Sequence, residues 1–465
     1  MADALQTLSP RKPRTRLCTR GSRSRGYAPI ENFNLRRLPI VLRPNAARVL
    51  LRPFFPAVAS QTPNELQTLN KLDMGRITRV TGRVLAMSQE SVESELTELM
   101  QEFSSRHAGL QAIFTDRFME VCQRLPTAPT VPEEARRLLI GAYFSHEYSF
   151  ETAALFNPSI VRHPDQGGLA AGEVRFIISL RATGEGHVSS ICFRSGIVDA
   201  DGEIRLDPPG HYATTPVGTG MAQRDGGYEV EFPSDTPLAE RVIFPMTPSQ
   251  RNGLEDARFV QFTEDDGTAA YYATYTAYSG REIAPEMLRT DDFLSFRFMP
   301  IQGNAVRNKG MALFPRRIGG RFAMLTRLDG ESLQLSRSDD LHTWNNAATI
   351  LVPEESWEFL QIGNCGSPIE LPEGWLLLTH GVGAMRRYCI SAALLDLHDP
   401  TRVLARLRSP LLCAIGQERQ GYVPNVVYSC GGMAHAGNLI LPYAMSDHAT
   451  SFAVAPLRGL LAAMS

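Results

Sequence analysis

The stretch "GWLLLTHGVG" (residues 374–383) decides the fold class, because an apolar run of strand length ends in a histidine and a glycine turn. Four further stretches share this pattern of a strand that ends in a polar group: "RFIISLRATGEGH" (175–187), "AAYYATYTAYSG" (269–280), "GRFAMLTRLDG" (320–330) and "NLILPYAMSD" (438–447). Successive stretches lie roughly 50–95 residues apart, the range expected for four-stranded propeller blades with insertions. The sequence therefore predicts an all-β fold, a five-bladed β-propeller.

The chain before this region has a different character, and we expect three zones in all. Residues 1–40 are rich in arginine and poor in acids, which is typical of a basic, disordered arm; a transit peptide is the alternative. Residues 41–145 predict a mixed and then helical extension, in which Ser91 caps a helix and apolar residues from Leu96 to Val121 recur at helical spacing. Residues 146–465 are the predicted propeller and catalytic domain.

The composition limits the partners and cofactors that we expect. Lys plus Arg (47) and Asp plus Glu (49) nearly balance, so no global field favours nucleic acid or a membrane surface. No apolar run approaches the ~20 residues of a membrane-spanning helix. The seven cysteines form no C-x-x-C pair, which indicates reduced thiols in a cytoplasmic protein. No two histidines stand at ligand spacing, so we expect neither a metal nor another cofactor.

The polar ends of the five predicted blades would converge on the propeller axis. This convergent set comprises Arg181, Tyr275, Arg327, His380 and Asp447, with Asp256 of "GLEDARFV" (253–260) nearby. Guanidinium, imidazole, carboxylate and aromatic groups in one cavity suit a polyhydroxylated or anionic small ligand. Any one of these residues alone could equally be a satisfied surface or turn residue, so the prediction depends on the set.

Eight blocks of the chain resemble, in their order, those of glycoside hydrolase family 130, the mannoside phosphorylases and β-mannosidases. They are "FNPSIV", "SLRATGEG", "GLEDARFV", "TYTAYSG", "NKGMALFPRRIGGRFAMLTR", "GSPIELPEGWLLLTHGV", "ALLDLHDPTRVLARLRSPLL" and "GYVPNVVYSCGG". The resemblance covers about residues 150–465 and implies a five-bladed propeller, in agreement with the repeat count. The arm and the helical extension lie outside the usual family core.

The resemblance implies a role for "EDAR", the counterpart of the family motif E-D-P-R. The proton donor would be Asp256, with Ala257 where proline is common, and it would protonate the glycosidic oxygen through the mannose 3-hydroxyl. A general acid has to hold its proton near the working pH, so we expect the cavity to raise the pKa of Asp256. The substrate-binding residues expected beside it are Glu255 and Arg258, which would position Asp256, and Asn157, Arg181, Tyr275 and Asp447, which would hold the sugar.

The family divides by nucleophile, and the residues favour phosphate over water. The resemblance implies a phosphate pocket of Lys309, Arg327 and His380, whereas a further family lysine falls near the neutral Gln361. Inorganic phosphate would then be a co-substrate, and the products would be α-mannose 1-phosphate and a shortened acceptor. The alternative is a β-mannosidase, which needs a carboxylate ~6.5–9.5 Å from the acid to activate water. Its candidates are Glu358, Glu370 and Glu418. Either reaction should invert the anomeric centre.

A third hypothesis is a sugar-binding propeller without catalysis, since the fold alone does not determine function. Asp256, Arg327 and His380 argue against it, because a lectin needs neither an acid nor an anion pocket. The partners that we expect are a mannose-containing oligosaccharide and phosphate. If the chain forms a homo-oligomer, the arm and the helical extension are the expected subunit contacts.

Overall fold

The computed structural model describes residues 34–56, 73–126, 132–218 and 226–465. The basic arm predicted for residues 1–40 lies outside the described residues as far as residue 33. None of the helices in the described ranges is long and apolar enough to cross a membrane.

The N-terminal extension is a small helical unit attached to a two-stranded antiparallel sheet. Its elements are β1 (Arg36–Leu42), β2 (Val49–Pro53), α1 (Met74–Leu85), α2 (Gln89–Phe103), α3 (Leu110–Arg124), α4 (Glu134–Tyr143) and β3 (Ser145–Ser149). The helices bury their own apolar core, which includes Ile77, Val84, Phe118, Val121 and Ile140. Strands β2 and β3 pair in antiparallel fashion and connect this unit to the rest of the chain. The predicted boundary between residues 145 and 146 therefore falls inside β3.

The cap of α2 differs from the sequence prediction by one turn. The helix begins at Gln89, and the side chain of Ser88 accepts a hydrogen bond from the backbone N–H of Ser91 at 3.2 Å. The prediction of Ser91 as the cap was wrong, because two serines precede the apolar periodicity and the earlier one satisfies the first free N–H groups.

Five blades follow, each an antiparallel meander, and a parallel pairing of Ser189 with Gly253 joins the first two blades into one sheet. Blade 1 contains β4 (Ala154–Arg162), β5 (Val174–Thr183), β6 (Ser189–Val198) and β7 (Ile204–Leu206). The insertion after it contains β8 (Val217–Gly218), β9 (Tyr228–Glu231) and β10 (Val242–Ile243). Blade 2 contains β11 (Gly253–Thr263), β12 (Ala269–Tyr278), β13 (Ile283–Thr290) and β14 (Ser295–Pro300).

Blades 3 to 5 continue the same meander. Blade 3 contains β15 (Ala312–Leu313), β16 (Phe322–Thr326), β17 (Leu333–Ser338) and β18 (Asn345–Leu351). Blade 4 contains β19 (Gln361–Asn364), β20 (Ile369–Leu371), β21 (Gly374–Gly383), β22 (Arg387–Leu395), β23 (Val403–Arg406) and β24 (Leu412–Cys413). Blade 5 contains β25 (Val427–Tyr428), β26 (Met433–His435), β27 (Asn438–Met445) and β28 (Ala449–Pro456), and the short helix α5 (Leu457–Ala462) ends the chain.

The N-terminal strand β1 completes blade 5. It pairs with β28 from Arg36 opposite Val454 to Leu42 opposite Thr450. An ion pair between Arg36 and Glu203 of blade 1 adds a contact across the seam. The boundary predicted at residue 40 thus cuts through a strand, because pairing with the last blade orders residues that read as part of the arm.

Apolar clusters between neighbouring blades close the ring. Representative side chains are Leu38, Phe176 and Phe452 between blades 5 and 1; Phe193 and Phe259 between 1 and 2; Met299 and Met324 between 2 and 3; Leu325 and Trp375 between 3 and 4; and Leu378 and Leu441 between 4 and 5. Each fully buried Leu or Phe contributes about 1.5–3 kcal/mol. The prediction of a five-bladed propeller is confirmed.

The five stretches quoted from the sequence occupy equivalent places, but they are not the innermost strands. They form β5, β12, β16, β21 and β27, the second strand of each blade. The edge strands at the axis are β4, β11, β15, β19 and β25. The axial cavity is consequently lined both by these strands and by the ends of the second strands.

Candidate active site

A cavity of about 270 Å³ lies at the propeller axis and receives side chains from all five blades. Its charged and aromatic lining includes Asn157, Arg181, Asp256, Lys309, Arg327, Gln361, His380, Arg386, Tyr388, Tyr428 and Asp447. Of the residues predicted to form the site, Asn157, Arg181, Asp256, Lys309, Arg327, His380 and Asp447 are brought together here. Four of the five predicted strand-end residues, all except Tyr275, therefore line this cavity.

Two matching β-bulges direct Asn157 and Asp256 toward the axis. In β4 the register shifts between Phe156 and Ser159, and in β11 it shifts between Glu255 and Arg258. Both bulged residues have left-handed backbone, with φ of 48° at Asn157 and 55° at Asp256. Asn and Asp tolerate this conformation better than other residues that carry a side chain. The two innermost strands thus present one amide and one carboxylate to the same point.

One side of the cavity is formed by a closed network of paired charges, which we call the paired wall: Asn157, Arg181, Asp256 and Lys309 line the cavity, and Glu255 lies behind them. Asn157 Nδ2 donates to Asp256 Oδ1 at 2.6 Å, and Arg181 Nη1 donates to the same oxygen at 3.1 Å. Arg181 Nη2 also donates to Glu255 Oε1 at 2.7 Å. The second oxygen of Glu255 accepts from Lys309 Nζ at 2.6 Å. Every charge in this wall therefore has an opposite partner.

Arg258 supports this wall from behind. It is buried and donates to the backbone oxygen of Asp256 at 2.8 Å and to Tyr428 Oη at 2.7 Å. Neither Glu255 nor Arg258 lines the cavity. Arg258 contacts Asp256 directly, whereas Glu255 is connected to it through Arg181, which donates to both carboxylates. The positioning role expected of both residues stays a prediction.

The electrostatics of Asp256 contradict the expected raised pKa. Burial raises the pKa of this carboxyl, but Arg181, Arg258 and Lys309 outweigh burial and lower it to about 2. The prediction was wrong because the sequence did not show how many cations would surround one carboxylate. In the unliganded protein Asp256 is ionised at neutral pH.

Asp447, the second carboxyl group of the cavity lining, behaves in the opposite way. Burial and the charge of Asp256 raise its pKa to about 6, although Arg181 and Arg386 oppose the shift. Its backbone is also left-handed, with φ of 49°. Two carboxyl groups in one cavity thus have pKa values that their surroundings push apart, a pattern typical of catalytic sites.

The opposite side of the cavity, which we call the open wall, comprises Arg327, Gln361, His380 and Arg386. Arg327 Nη1 lies 3.4 Å from His380 Nε2, and the His380 ring stacks on Tyr388 at 5.9 Å between centroids. Burial, Arg327 and Arg258 all lower the pKa of His380, so its imidazole is neutral. Among the described residues, no carboxylate forms a salt bridge with Arg327 or Arg386, and the buried Arg327 Nε and His380 Nδ1 have no hydrogen-bond partner.

The structure does not place Tyr275 in the cavity. Its side chain is buried in the core between blades 1 and 2, where its hydroxyl group donates to Glu286 Oε2 at 2.5 Å and accepts from Gln250 Nε2 at 2.9 Å. Successive side chains of a strand alternate between faces, and Tyr275 lies on the face that packs against its neighbour. The prediction of Tyr275 as a sugar-binding residue was wrong.

The three carboxylates considered as water-activating bases also lie outside the cavity lining. Glu358 is buried against Arg406, with which it forms an ion pair at 2.5 Å. Glu370 pairs with Arg316 on the surface, and Glu418 accepts from Tyr443 Oη at 2.6 Å. Each therefore has a structural partner of its own.

Several lining residues were not singled out from the sequence: Phe156, Asn308, Arg386, Tyr388, Val426 and Tyr428. Phe156 and Asn308 are direct neighbours of predicted site residues, so proximity in sequence could have found them. Arg386 lies in the turn between β21 and β22, where both it and Met385 have positive φ. A turn without a strand pattern gives no signal that its arginine faces the axis. No cluster of potential metal ligands occurs within the described ranges.

The sequence profile of glycoside hydrolase family 130, described as beta-1,4-mannooligosaccharide phosphorylase, matches residues 224–465. The chain belongs to glycoside hydrolase family 130. The match covers blades 2 to 5 and therefore includes Asp256 and the whole open wall. Blade 1, with Asn157 and Arg181, and the N-terminal extension lie before it.

Curated mannoside phosphorylases resemble the chain over somewhat less than half of its length. The 1,2-beta-oligomannan phosphorylase of Thermoanaerobacter sp. (strain X514) is 32% identical over 48% of this chain and 75% of its own length. The beta-1,2-mannobiose phosphorylase of Listeria innocua is 31% identical over 44% of this chain and 58% of its own length. The solved structure of a Listeria innocua beta-1,2-mannobiose phosphorylase with beta-1,2-mannobiose superposes with a TM-score of 0.46 and 22% identity, covering 67% of this chain and 92% of that one.

Proposed function

We propose that this family 130 protein is a β-mannoside phosphorylase. It transfers a mannosyl group from a β-mannoside to inorganic phosphate and yields α-mannose 1-phosphate and a shortened acceptor. The C–O bond at the anomeric carbon breaks as the phosphate oxygen bonds to it from the opposite face, so the configuration inverts. The acceptor leaves with the proton that Asp256 supplies.

The open wall is the observation that carries this proposal. Arg327 is buried and forms no salt bridge with a carboxylate in the described part of the chain. Arg386 lines the same cavity and lies near Asp447, but no salt bridge joins the two. A dianion would supply the missing opposite charge through charge-assisted hydrogen bonds. Gln361 and neutral His380 add groups that can donate to the remaining phosphate oxygens.

The same geometry disfavours hydrolysis. An inverting hydrolase needs a second carboxylate that activates water, and Glu358, Glu370 and Glu418 are engaged elsewhere. Among the described lining residues, the other carboxyl group is Asp447, which is near Arg181 and Arg386. We assign Asp447 to sugar binding, because an acceptor beside two cations suits hydroxyl recognition.

The low pKa of Asp256 is compatible with acid catalysis once substrates bind. A phosphate dianion in the open wall would add negative charge facing Asp256, and negative charge raises the pKa of a carboxyl group. A mannose hydroxyl that replaced Asn157 or Arg181 as partner would act in the same direction. We therefore propose that Asp256 acquires its proton in the ternary complex.

The test is a panel of β-1,2-mannobiose, β-1,4-mannobiose and mannosylglucose, each incubated with and without phosphate. We expect consumption of at least one disaccharide only when phosphate is present, with mannose 1-phosphate as product. Equal consumption without phosphate would instead favour the mannosidase, and binding without turnover would favour the non-catalytic sugar-binding protein. The panel also identifies the linkage.

We further propose that the enzyme works in the cytoplasm. The six cysteines in the described part of the chain are free thiols, which suits a reducing compartment. Retention of activity after treatment with a mild reductant is the expected outcome.

A further inference from the structure

Two turns, one in blade 1 and one in blade 4, have the same backbone conformation. The turn between β5 and β6 runs from Gly184 to Val188, and the turn between β21 and β22 runs from Gly383 to Arg387. Each begins with a glycine at φ of -111°, and each contains two successive left-handed residues. Three residues before these glycines stand Arg181 in blade 1 and His380 in blade 4, and both line the axial cavity. The two turns are therefore equivalent parts of their blades.

This equivalence locates His187 relative to the axial cavity. It occupies the position that Arg386 has in blade 4, and Arg386 lines the cavity. His187 is exposed and is not part of the lining, so we place it at the rim of the cavity, on the side of blade 1. A left-handed backbone favours glycine, yet this position, with φ of 59°, carries an imidazole ring. Strained positions of this kind cluster at functional sites.

Tyr422, from the segment before β25, meets His187 at this rim. The centroids of the two rings are 5.7 Å apart, and the tyrosine is 70% exposed. The next residue, Val423, donates its backbone N–H to the backbone oxygen of Ser446 at 2.9 Å. Ser446 directly precedes Asp447, which lines the cavity. The two rings, which we call the rim pair (His187 and Tyr422), thus adjoin the cavity from blade 1 and from blade 5.

The proposed reaction places the acceptor on the side of the rim pair. In an inverting displacement the attacking group and the leaving group lie on opposite faces of the transferred sugar. The open wall holds phosphate in the proposed function, so the acceptor leaves toward the paired wall, where Asp256 supplies its proton. Strand β5, which carries Arg181 of this wall, continues directly into the turn with His187. The rim pair therefore lies along the path of the acceptor.

An exposed aromatic pair suits a sugar ring as its ligand. A pyranose presents an apolar C–H face, and aromatic side chains provide the complementary surface. The ring of Tyr422 is available for such a contact because it is mostly exposed. The tyrosines of the cavity lining, Tyr388 and Tyr428, instead pack against the ring of His380. The rim pair thus offers aromatic surface that the lining tyrosines do not.

We propose that His187 and Tyr422 are specificity-determining residues, which bind the acceptor sugar of the β-mannoside by contact with the face of its ring. This inference rests on the proposed function and adds how the acceptor is recognised. A contact with the ring face requires a pyranose ring next to the bond that breaks. A mannoside whose leaving group is methanol lacks this contact.

The test runs the reaction in the synthetic direction, with α-mannose 1-phosphate as donor and the released sugar as acceptor. Tyr422→Ala should raise the KM for the acceptor about three- to tenfold, the scale of one lost stacking contact, and leave the KM for α-mannose 1-phosphate unchanged. Tyr422→Phe keeps the ring and should retain the wild-type values. Tyr143→Ala, an exposed tyrosine of the helical extension, is the matched control and should change neither KM. An unchanged acceptor KM in Tyr422→Ala, or an equal rise in both KM values, would overturn the proposal.

A second variant, His187→Gly, separates recognition from folding. Glycine adopts the left-handed backbone without strain, so the melting temperature should stay close to the wild-type value. The KM for the acceptor should nevertheless rise about three- to tenfold, because the imidazole ring is lost. A folded His187→Gly protein with the wild-type acceptor KM would show that the rim pair is not the acceptor site.

A binding measurement separates this inference from the proposed function. In phosphate-free buffer, calorimetry on Asp256→Asn compares the disaccharide identified by the panel with methyl β-mannoside, which has no acceptor ring. The added Tyr422→Ala should weaken disaccharide binding about three- to tenfold and leave methyl β-mannoside binding unchanged. If the protein used water instead of phosphate but kept this difference, the acceptor site would stand. If phosphorolysis held and both ligands lost affinity equally, or neither did, the acceptor site would be wrong.

Discussion

The two walls of the axial cavity differ in how their charges are satisfied. In the paired wall, Asp256 and Glu255 are held by Arg181, Lys309 and Asn157 at 2.6 to 3.1 Å. In the open wall, Arg327 has only His380 Nε2 and the backbone oxygen of Gly330 within 3.5 Å among its described side-chain contacts. The first wall is complete before any ligand arrives, whereas the second is not.

This difference assigns a task to each wall. A satisfied network holds its members in one geometry, as a positioned acid and a sugar-binding site require. A buried cation without a carboxylate is costly, and burial indeed lowers the pKa of Arg327. Such a group is expected where an anion completes the site. The sequence analysis placed Lys309 with Arg327 in a phosphate pocket. In the structure Lys309 belongs to the paired wall, because Glu255 already neutralises its charge.

The largest expected effect comes from the acid of the paired wall. Asp256→Asn should lower kcat by about 10²–10⁴, the range for a lost general acid. The amide keeps the shape of the side chain but removes the buried charge that pairs with Arg181, so we expect a folded protein with a lower thermal unfolding temperature. Asp339→Asn, an exposed aspartate paired with Arg321, is the control and should retain full activity. Near wild-type turnover in Asp256→Asn would make Glu255 the next candidate.

The second prediction separates the two walls by their cations. Arg327→Ala should raise the KM for phosphate about 10- to 100-fold, because it removes a charge-assisted contact, and should change the KM for mannoside little. Lys309→Ala should affect phosphate less, since Glu255 already neutralises this lysine. Initial rates at varied phosphate and fixed mannoside measure both. If the two variants raised the phosphate KM equally, the distinction between the walls would fail.

A smaller effect is expected from adding charge to the open wall. Gln361→Lys places a cation beside Arg327 and His380 and should lower the KM for phosphate about threefold, a fraction of one charge-assisted hydrogen bond. The neutral variant Gln361→Met is the matched control and should not lower it. A phosphate KM that rose in the lysine variant would place the anion elsewhere.

The smallest effect concerns Asp447 and pH. A carboxyl group whose pKa is raised on folding destabilises the folded state as the pH rises from its ordinary value of 3.8 to about 6, because the folded chain then holds a buried charge. Asp447→Asn removes this cost. Its melting temperature relative to wild type should be higher at pH 8 than at pH 4, by about 2 °C. An offset independent of pH would refute the raised pKa.

The sequence predicted the repeat and its centre better than the individual contacts. Five strand ends, each recognisable from its own local pattern, indicated five blades although their spacing along the chain is uneven. The pairing of β1 with β28 could not be predicted from the sequence, because nothing in residues 36–42 indicates a partner strand at the other end of the chain. The side-chain direction of Tyr275 depends on strand register, which two bulges shift in this region of the propeller.

The lowered pKa of Asp256 and the position of Arg386 in the cavity could not be predicted from the sequence for a related reason. Three cations that lower this pKa come from β5, from β11 itself and from the segment before β15, and only the folded ring brings them together. Arg386 lies in a turn whose sequence has no periodicity to read. The sequence therefore allowed the strands to be predicted, because their patterns are local. It did not allow prediction of charge contacts that form only in the tertiary structure.

The central claim, that the open wall binds phosphate as the attacking group, is tested most directly by phosphorus NMR during turnover. Wild-type protein, a β-mannoside substrate identified by the disaccharide panel and inorganic phosphate are mixed, and free mannose is assayed in parallel. We predict that the inorganic phosphate signal declines while a single sugar 1-phosphate signal of the α anomer grows by the same amount, and that free mannose stays at background. A constant phosphate signal with accumulating free mannose would contradict the account.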